Sequence, residues 1–344
     1  MIKKLLTACL VAGVTLGAST ISQAQEVTLK IHQFLPAPAT IPAMFLKPWA
    51  EKIEKESGGR IKFQHFPSMQ LGGKPPALFD QAKDGVADIV WTLPGYTPGR
   101  FPCAEAFELP FMMTNAEATS KAFNEYADKY CAEEFKDVHV LAVHVHGPGM
   151  FHVKGKGVRT LADMKGLKMR GPTRIINGLL KSLGAVPIGM PLPSVPSALS
   201  KGVIDGTVIP WEVTRAFKIA ELTKTHTEFG GDHALYTAAF VLAMNKAKYE
   251  SLPADLKKVI DDNSGGFAGA WAGRVMQEMD APARKVAVDR GNTIVRIEGA
   301  ELDAWKKAAE PVIAKWIAEM NAKGKPGQAM VDDARALIAK YTKM

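Results

Sequence analysis

The sequence predicts an α/β fold in two lobes, each a mostly parallel sheet flanked by helices. Short apolar stretches typical of buried strands alternate with longer stretches in which apolar residues recur every three or four positions, as on one face of a helix. This alternation runs through the chain twice, and its second run begins near Met150. The chain has 344 residues, more than a single hydrophobic core usually organises. Strands and helices in this order favour parallel sheets that are covered on both faces.

The first residues have the composition of a secretory signal peptide. Lys3 and Lys4 form a positive segment, residues 5–20 are mostly apolar, and Ser22-Gln23-Ala24 places small residues at the expected cleavage positions. The apolar segment is shorter, and more interrupted by glycine, than the roughly 20 apolar residues of a membrane span. We therefore predict that residues 1–24 are removed after Ala24 and that the mature protein is exported to the periplasm.

Residues 25–149 are expected to form the first lobe, together with a returning segment near 234–265. After a strand at its start, the first helix carries Phe45, Trp49 and Ile53 at four-residue spacing. Pro48 is expected to bend this helix or to delay its start, and Ser57-Gly58-Gly59 ends it. The other predicted elements are strands 27–32, 60–66, 87–91 and 138–146, helices 75–85 and 116–136, and strand 236–244 of the returning segment.

The second lobe is predicted to contain residues 150–233 and part of the helical C-terminal region 266–344. Thr173 is a suitable N-cap for the helix after the first strand of this lobe, and Gly184 is a suitable end for it. The other predicted elements are strands 167–170, 185–188 and 206–209 and helix 195–201.

Open sheets of this kind bind ligands beyond the carboxyl ends of their strands. The loops at those ends include residues 34–36 and 91–94. We therefore expect these loops to contact a ligand.

Charge and cysteine content narrow the classes of function. The net charge of +8 falls to +6 when Lys3 and Lys4 are lost, and the basic residues are spread along the chain. This distribution argues against nucleic-acid binding and favours small anionic ligands. Cys9 lies inside the signal peptide, which leaves Cys103 and Cys131 in an oxidising compartment. A disulfide between them and two free thiols are both compatible with the sequence.

Several segments carry a family resemblance. They are Ser57-Gly58-Gly59-Arg60-Ile61 followed by Phe66-Pro67-Ser68-Met69-Gln70-Leu71-Gly72, then Asp163-Met164-Lys165-Gly166-Leu167-Lys168-Met169-Arg170, and Ala198-Leu199-Ser200-Lys201-Gly202-Val203-Ile204-Asp205-Gly206. In this order behind a signal peptide, the chain resembles the DctP-like substrate-binding subunits of the tripartite ATP-independent periplasmic (TRAP) transporters over nearly its whole mature length. The resemblance implies a two-lobed periplasmic binding protein, a monomer that closes on a ligand in the interlobe cleft and works with small and large membrane subunits.

The resemblance also implies that Arg170, at the end of the Gly-Leu-Lys-x-Arg strand, binds the carboxylate of a small organic acid. A guanidinium can hold a carboxylate through two parallel charge-assisted hydrogen bonds. The helix that begins at Thr173 adds the positive end of its dipole nearby. Arg174 is a candidate second cation for the carboxylate, and a solvated helix position is the equal alternative for it.

Two positions depart from the family pattern. Many members carry a second arginine where this chain has Gly149, and a polar residue such as asparagine where it has Ile209. A site with fewer polar groups would leave the hydroxyls of a sugar acid unpaired, which is costly. We therefore expect an aromatic or otherwise apolar monocarboxylate. The candidate cleft residues are Phe34, Trp91, Tyr96, Met150, His152, Trp211, Tyr236 and Phe240.

Three histidines allow a second interpretation of the site. His144 and His146 share one face of a strand and His152 follows them, but no cysteine or carboxylate stands beside them to complete a metal site. We favour histidines that form hydrogen bonds near the hinge, with His152 or His146 reaching the ligand, and we predict no metal ion.

Common catalytic motifs are absent from the sequence. It contains no Gly-x-Ser-x-Gly elbow, no His-Glu-x-x-His zinc motif, no phosphate loop and no dinucleotide-binding fingerprint. We therefore expect no enzyme activity and no cofactor. Two alternatives remain open, a periplasmic ligand sensor and a lyase or isomerase built on a binding-protein fold.

Overall fold

Two separate β-sheets organise residues 27–343, the part of the chain that this computed structural model describes. The predicted signal peptide, residues 1–24, and its cleavage point lie outside the described residues. The predicted α/β class is confirmed, since helices flank both sheets. Among the described helices, none combines the length and the apolar character that a membrane span requires.

The first sheet has five strands. They are β1 (Val27–Gln33), β2 (Ile61–Phe66), β3 (Ile89–Thr92), β4 (Val138–Val145) and β10 (Ala239–Asn245). Their order across the sheet is β2-β1-β3-β10-β4, and β10 runs antiparallel to both of its neighbours while the others are parallel. Strands β3 and β10 are buried along almost their whole length, which agrees with their nearly continuous apolar sequence.

The second sheet has six strands. They are β5 (Met150–Val153), β6 (Lys168–Gly171), β7 (Val186–Gly189), β8 (Gly206–Ile209), β9 (Thr225–Phe229) and β11 (Thr293–Ile297). Their order is β11-β9-β5-β8-β6-β7, and β5 is the strand that runs antiparallel to its neighbours. Each sheet is therefore mostly parallel, as predicted, with one antiparallel strand inserted.

The helices cover the faces of both sheets. They are α1 (Lys47–Glu56), α2 (Leu78–Lys83), α3 (Ala116–Tyr130), α4 (Arg174–Ser182), α5 (Val195–Ser200), α6 (Ile219–Leu222), α7 (Lys246–Glu250), α8 (Ala254–Asp262), α9 (Gly265–Glu278), α10 (Asp280–Asp289), α11 (Gly299–Ala322) and α12 (Gly327–Thr342). Helices α3 and α9 pack on β4 of the first sheet, and α4 packs on β6 and β7 of the second.

Local sequence signals explain several helix ends. The hydroxyl of Thr173 accepts a hydrogen bond from the backbone N–H of Ile176 and so caps α4, as predicted. Gly184 follows this helix with φ of +93°, a left-handed conformation that favours glycine. Pro48 lies in the first turn of α1, where a missing N–H costs little.

A disulfide joins Cys103 to Cys131, which the sequence left open. Both residues are fully buried, and their Cα atoms are 5.5 Å apart. The carboxylate of Glu134 lies beside the two sulfur atoms and accepts a hydrogen bond of 2.7 Å from the backbone N–H of Cys103. Because the sulfur atoms are bonded to each other, this group of three side chains offers no thiolates to a metal ion.

The chain passes between the two sheets at three places before α11. These are residues 146–149 between β4 and β5, residues 230–238 between β9 and β10, and Met279 between α9 and α10. The connecting segments therefore lie where the two lobes meet.

Some elements differ from the predictions. Strands β9 and β11 were not predicted, because neither stretch stands out from its surroundings in apolar content. Helix α3 ends at Tyr130, six residues before the predicted end, where the disulfide and a tight turn follow. The limits given for the lobes, 25–149 with 234–265 and 150–233 with part of 266–344, remain predictions.

Candidate functional site

A cavity lies between the two sheets and encloses about 400 Å³ of empty space. Pockets that bind small molecules in proteins usually measure about 300–1,000 Å³ and are mostly apolar. Its lining residues come from both sheets and from the connecting segments between them. They are Phe34, Leu35, Trp91, Leu93, Tyr96, His146, Arg170, Pro172, Leu192, Val208, Ile209, Pro210, Glu212, Val213, Tyr236, Ala238, Phe240 and Met276.

Arg170 places a buried positive charge in the wall of this cavity. It stands near the end of β6, and only 2% of its surface is exposed. Its Nε donates to the carbonyl of Met190 at 2.9 Å and its Nη1 to the carbonyl of Val208 at 3.3 Å. A guanidinium has five N–H groups and stays protonated in proteins. No carboxylate within residues 27–343 forms an ion pair with it, so the charge and the remaining N–H groups are available to a ligand.

Two tyrosines flank the guanidinium. The Tyr96 hydroxyl accepts a hydrogen bond of 3.1 Å from the backbone N–H of Leu192. The Tyr236 hydroxyl is buried and has no hydrogen-bond partner within the described part of the chain. Burial raises the pKa of both phenols, and the nearby charge of Arg170 partly opposes that rise. Both therefore remain protonated, and the hydroxyl of Tyr236 is a free donor beside the arginine.

The ring of Tyr236 occupies the space in front of Gly149. A Cβ atom at position 149 would lie 2.0 Å from Cε1 and 2.3 Å from Cζ of this ring. A side chain at 149, such as the second arginine of many relatives, therefore cannot coexist with Tyr236 in its present place.

Aromatic rings form the wall contributed by the first lobe. Phe34 stacks on Trp91 with ring centroids 5.1 Å apart, and Trp91 stacks on Phe240 at 4.7 Å. Tyr96 meets Phe34 edge to face at 5.6 Å. The indole N–H of Trp91 donates to Nε2 of His144 at 2.8 Å, which fixes the ring. The loops after β1 and β3 thus supply flat apolar surfaces, as the strand-end rule predicts.

Glu212 is the acidic residue of the cavity wall. It follows β8, and 4% of its surface is exposed. Its backbone N–H donates to Oδ1 of Asp280 at 2.9 Å, and Thr40 donates to its carboxyl group. The Oε2 atom is buried without a partner among residues 27–343. Burial raises the pKa of this carboxyl group to about 7.

Hydrogen bonds and an ion pair join the lobes beside the cavity. The hydroxyl of Thr173 donates to Oε2 of Glu108 at 2.6 Å, and Arg174 pairs with the carboxylate of Glu105. Burial raises the pKa of Glu108 to about 8. Together with the bond between Tyr96 and Leu192, these contacts describe a closed arrangement of the lobes.

Six of the ten residues predicted for the site surround the cavity, namely Phe34, Trp91, Tyr96, Arg170, Tyr236 and Phe240. The other four, Met150, His152, Arg174 and Trp211, lie elsewhere. Arg174 faces Glu105 and Glu319, which hold it outside the cavity.

His152 and Trp211 belong to the interior of the second lobe. His152 shares a hydrogen bond of 2.7 Å with His226 and another of 3.1 Å with the carbonyl of Ile209. The indole N–H of Trp211 donates to Glu228 at 3.0 Å, and its ring packs with α10 and against Met150. The turn after β8 directs Glu212, and not Trp211, toward the cavity.

His146 lines the cavity but does not present a free nitrogen. Its Nε2 accepts a hydrogen bond of 3.1 Å from the backbone N–H of Ala238, and its Nδ1 donates to the carbonyl of Gly147. Burial lowers its pKa to about 4, so the ring is neutral. His144, which burial also keeps neutral, is the acceptor for Trp91. Hydrogen bonding accounts for these histidines, in agreement with the preferred interpretation.

The sequence-based list omitted Glu212, Met276 and most of the apolar residues. Val208 and Ile209 end a predicted strand, so the strand-end rule could have found them. Met276 lies on α9, far from any strand end, and no local signal points to it.

Comparison with known proteins agrees with this geometry. A profile of the bacterial extracellular solute-binding proteins, family 7, matches residues 35–319. The chain belongs to this family. The solved structures that it resembles are TRAP solute-binding proteins, so the TRAP resemblance is confirmed. Proteins of this family serve transport as solute-binding components and are not enzymes as a class.

Three solved structures of TRAP binding proteins illustrate the similarity. One from Rhodoferax ferrireducens, in complex with copurified benzoate, is 55% identical, with 92% of this chain and 99% of that chain covered and a TM-score of 0.91. One from a marine metagenome, specific for aromatic acid ligands and bound to 3-hydroxybenzoate, is 53% identical, with coverage of 92% and 99% and a TM-score of 0.91. One from Bordetella bronchiseptica with bound mandelate is 30% identical, with coverage of 91% and 99% and a TM-score of 0.85.

Proposed function

We propose that this TRAP binding protein captures an aromatic monocarboxylate in the cavity and that Arg170 binds its carboxylate. The observation that carries the proposal is a buried arginine without an acidic partner in a wall of stacked aromatic rings. An unpaired buried charge is costly, and a carboxylate that forms two charge-assisted hydrogen bonds would remove that cost. Benzoate, 3-hydroxybenzoate and mandelate in the related structures support this class of ligand.

The second contact of the carboxylate is the Tyr236 hydroxyl. This donor is buried, close enough to feel the charge of Arg170, and unpartnered within residues 27–343. It stands in place of the second arginine that Gly149 excludes. A phenol and one guanidinium supply fewer positive charges than two arginines, which suits a ligand with a single carboxylate.

The ring of the ligand would lie against Phe34, Trp91 and Phe240. Flat aromatic faces bury a benzene ring efficiently, and offset or edge contacts between rings add about 0.5–1.5 kcal/mol each. The opposite wall consists of Val208, Ile209, Pro210 and Val213. A polyhydroxylated acid would lose its hydrogen bonds with water against this apolar wall without regaining enough partners.

The ligand would then pass to the membrane subunits of a TRAP transporter. Relatives in this family are periplasmic binding proteins, and the lysines and apolar stretch of residues 1–24 fit an export signal. We propose that the mature protein acts as a monomer in the periplasm, that its partners are a small and a large membrane subunit, and that it releases its ligand unchanged. Mass analysis of an acid before and after incubation with the protein would reveal any turnover.

The proposal is tested by isothermal titration of the mature protein, stripped of copurified ligand, with benzoate. Arg170→Ala and Arg170→Lys are compared with Arg290→Ala, which removes an exposed arginine far from the cavity. We expect the wild type and Arg290→Ala to bind equally. Arg170→Ala should lose about 3 kcal/mol or more of binding free energy, since a truncated buried charge pair costs about 2–5 kcal/mol. Arg170→Lys should recover only part of that loss, because lysine lacks the two-pronged geometry.

A thermal-shift measurement provides the control for folding. Each variant should unfold cooperatively without ligand, and benzoate at a hundred times its dissociation constant should stabilise the wild type by about 2.7 kcal/mol. If Arg170→Ala binds benzoate as tightly as the wild type, the proposed role of Arg170 is wrong.

A further inference from the structure

We propose that Glu212 accepts a hydrogen bond from a hydroxyl group on the ring of the ligand, so that the site selects ring-hydroxylated aromatic acids. This inference rests on the proposed function and adds the substituent that the cavity prefers. It concerns the end of the ligand opposite its carboxylate.

The first observation is an unsatisfied acceptor in the cavity wall. Oε2 of Glu212 is buried and has no hydrogen-bond partner within the described residues, although Glu212 lines the cavity. A buried polar atom left without a partner costs free energy, and native structures rarely keep one without a reason. A carboxyl oxygen can accept a hydrogen bond whether or not the group is ionised, so a ligand hydroxyl would satisfy it in both states.

The second observation is that this carboxyl group is held in place. Thr40 donates to its side chain, and its backbone N–H is bonded to Asp280 at 2.9 Å. Only 4% of Glu212 is exposed, so the side chain has little room to turn toward solvent. A fixed acceptor discriminates between ligands because it cannot move to find another donor.

The third observation places Glu212 away from the carboxylate end of the cavity. The charge of Arg170 perturbs the pKa of Tyr96, Tyr236 and His146. It is not among the causes that raise the pKa of Glu212, which are dominated by burial. The guanidinium and the carboxyl group therefore lie at different ends of the same cavity.

These positions define a polarity for the ligand. A negative group is attracted to the Arg170 end and repelled by an ionised Glu212, whereas a hydrogen-bond donor is favoured at the Glu212 end. An acid that carries its carboxylate at one end of a ring and a hydroxyl at another matches both ends. A methyl group of similar size in place of the hydroxyl would leave Oε2 unpartnered.

The test compares ligands that differ only in this group. The dissociation constants of benzoate, of the 2-, 3- and 4-hydroxybenzoates and hydroxyphenylacetates, and of their methyl counterparts are measured by isothermal titration at one pH. We expect the wild type to prefer at least one hydroxy acid over its methyl counterpart by about tenfold to a hundredfold, the range for hydrogen bonds to charged groups.

Variants at position 212 separate binding from folding. Glu212→Met keeps the length of the side chain without an acceptor, and the preference for the hydroxy acid should fall to about one, within twofold, with benzoate still bound. Glu212→Gln keeps one acceptor and should retain part of the preference. Glu134→Gln makes the same change of charge at a buried acid outside the cavity and should leave the preference intact.

The outcomes distinguish the two proposals. If benzoate binds but no hydroxy acid is preferred, or if the preference survives in Glu212→Met, the role of Glu212 is overturned and the carboxylate site stands. If neither benzoate nor any other aromatic acid binds to the wild type, both proposals fail.

Discussion

The contact between Gly149 and Tyr236 makes a sharp prediction about a single methyl group. A Cβ atom at position 149 would lie 2.0–2.5 Å from three atoms of the Tyr236 ring, well inside van der Waals contact. Tyr236 is 1% exposed and meets His146 edge to face, so its ring has no free space into which to retreat except the cavity. The substitution Gly149→Ala should therefore displace the ring into the ligand site.

The size of the effect follows from overpacking. Adding atoms to a well-packed interior costs about 1–3 kcal/mol. The φ angle of Gly149 lies outside the left-handed region, so alanine brings no backbone penalty and the whole cost is steric. Because the displaced ring also occupies the place of the ligand and removes its hydroxyl from beside Arg170, the affinity for benzoate should fall more steeply than the stability.

The assay combines unfolding and titration on matched variants. Gly155→Ala is the control, since Gly155 also lies outside the left-handed region and a Cβ atom there would meet nothing within 4 Å. We expect Gly149→Ala to lower the free energy of unfolding by about 1–3 kcal/mol and to weaken benzoate binding, and Gly155→Ala to change neither.

A second background isolates the cause. In Tyr236→Ala, the ring that blocks position 149 is gone, so adding Gly149→Ala should cost little more. The two changes should thus be strongly non-additive, as expected for residues in contact. Equal penalties for Gly149→Ala with and without the tyrosine ring would refute this reasoning.

Two further predictions concern Glu108 and the disulfide. Burial raises the pKa of Glu108 to about 8, so the folded protein binds a proton more tightly than the unfolded chain, and stability is lost as pH rises from the ordinary glutamate range of about 4.3 through 8. Glu108→Gln should flatten the fall in melting temperature over that window, although Glu212 and Asp280 keep part of it; profiles that superimpose would contradict the assignment. Replacing both Cys103 and Cys131 by serine, which opens a loop with a sequence separation of 28, should lower the free energy of unfolding by about 2–4 kcal/mol in urea titration, and an unchanged midpoint would show that the bridge contributes nothing.

Local patterns predicted the elements that meet at the cavity from the first lobe. Phe34 and Trp91 follow strands β1 and β3, which are parallel neighbours, so their loops necessarily emerge at the same edge of the sheet. The position of Arg170 at the end of its strand follows from the family motif. The aromatic character of the site could thus be anticipated from short stretches of sequence.

Contacts between distant parts of the chain could not be predicted. Arg174 was a candidate for the ligand, but its partners Glu105 and Glu319 lie 69 and 145 residues away in the sequence. Strand β10 inserts between β3 and β4 against their direction, a pairing that its own sequence does not specify. Whether Trp211 or Glu212 faces the cavity depends on the turn after β8, and alternation along the strand cannot settle it.

A crystal structure of the mature protein with bound benzoate tests the central claim most directly. The account predicts that both carboxylate oxygens lie about 2.7–2.9 Å from nitrogens of Arg170, with the Tyr236 hydroxyl as a further donor. It also predicts that the benzene ring stacks among Phe34, Trp91 and Phe240, with its far side toward Glu212. A carboxylate bound elsewhere in the cavity, or a ligand held outside it while Arg170 keeps its present partners, would contradict the account.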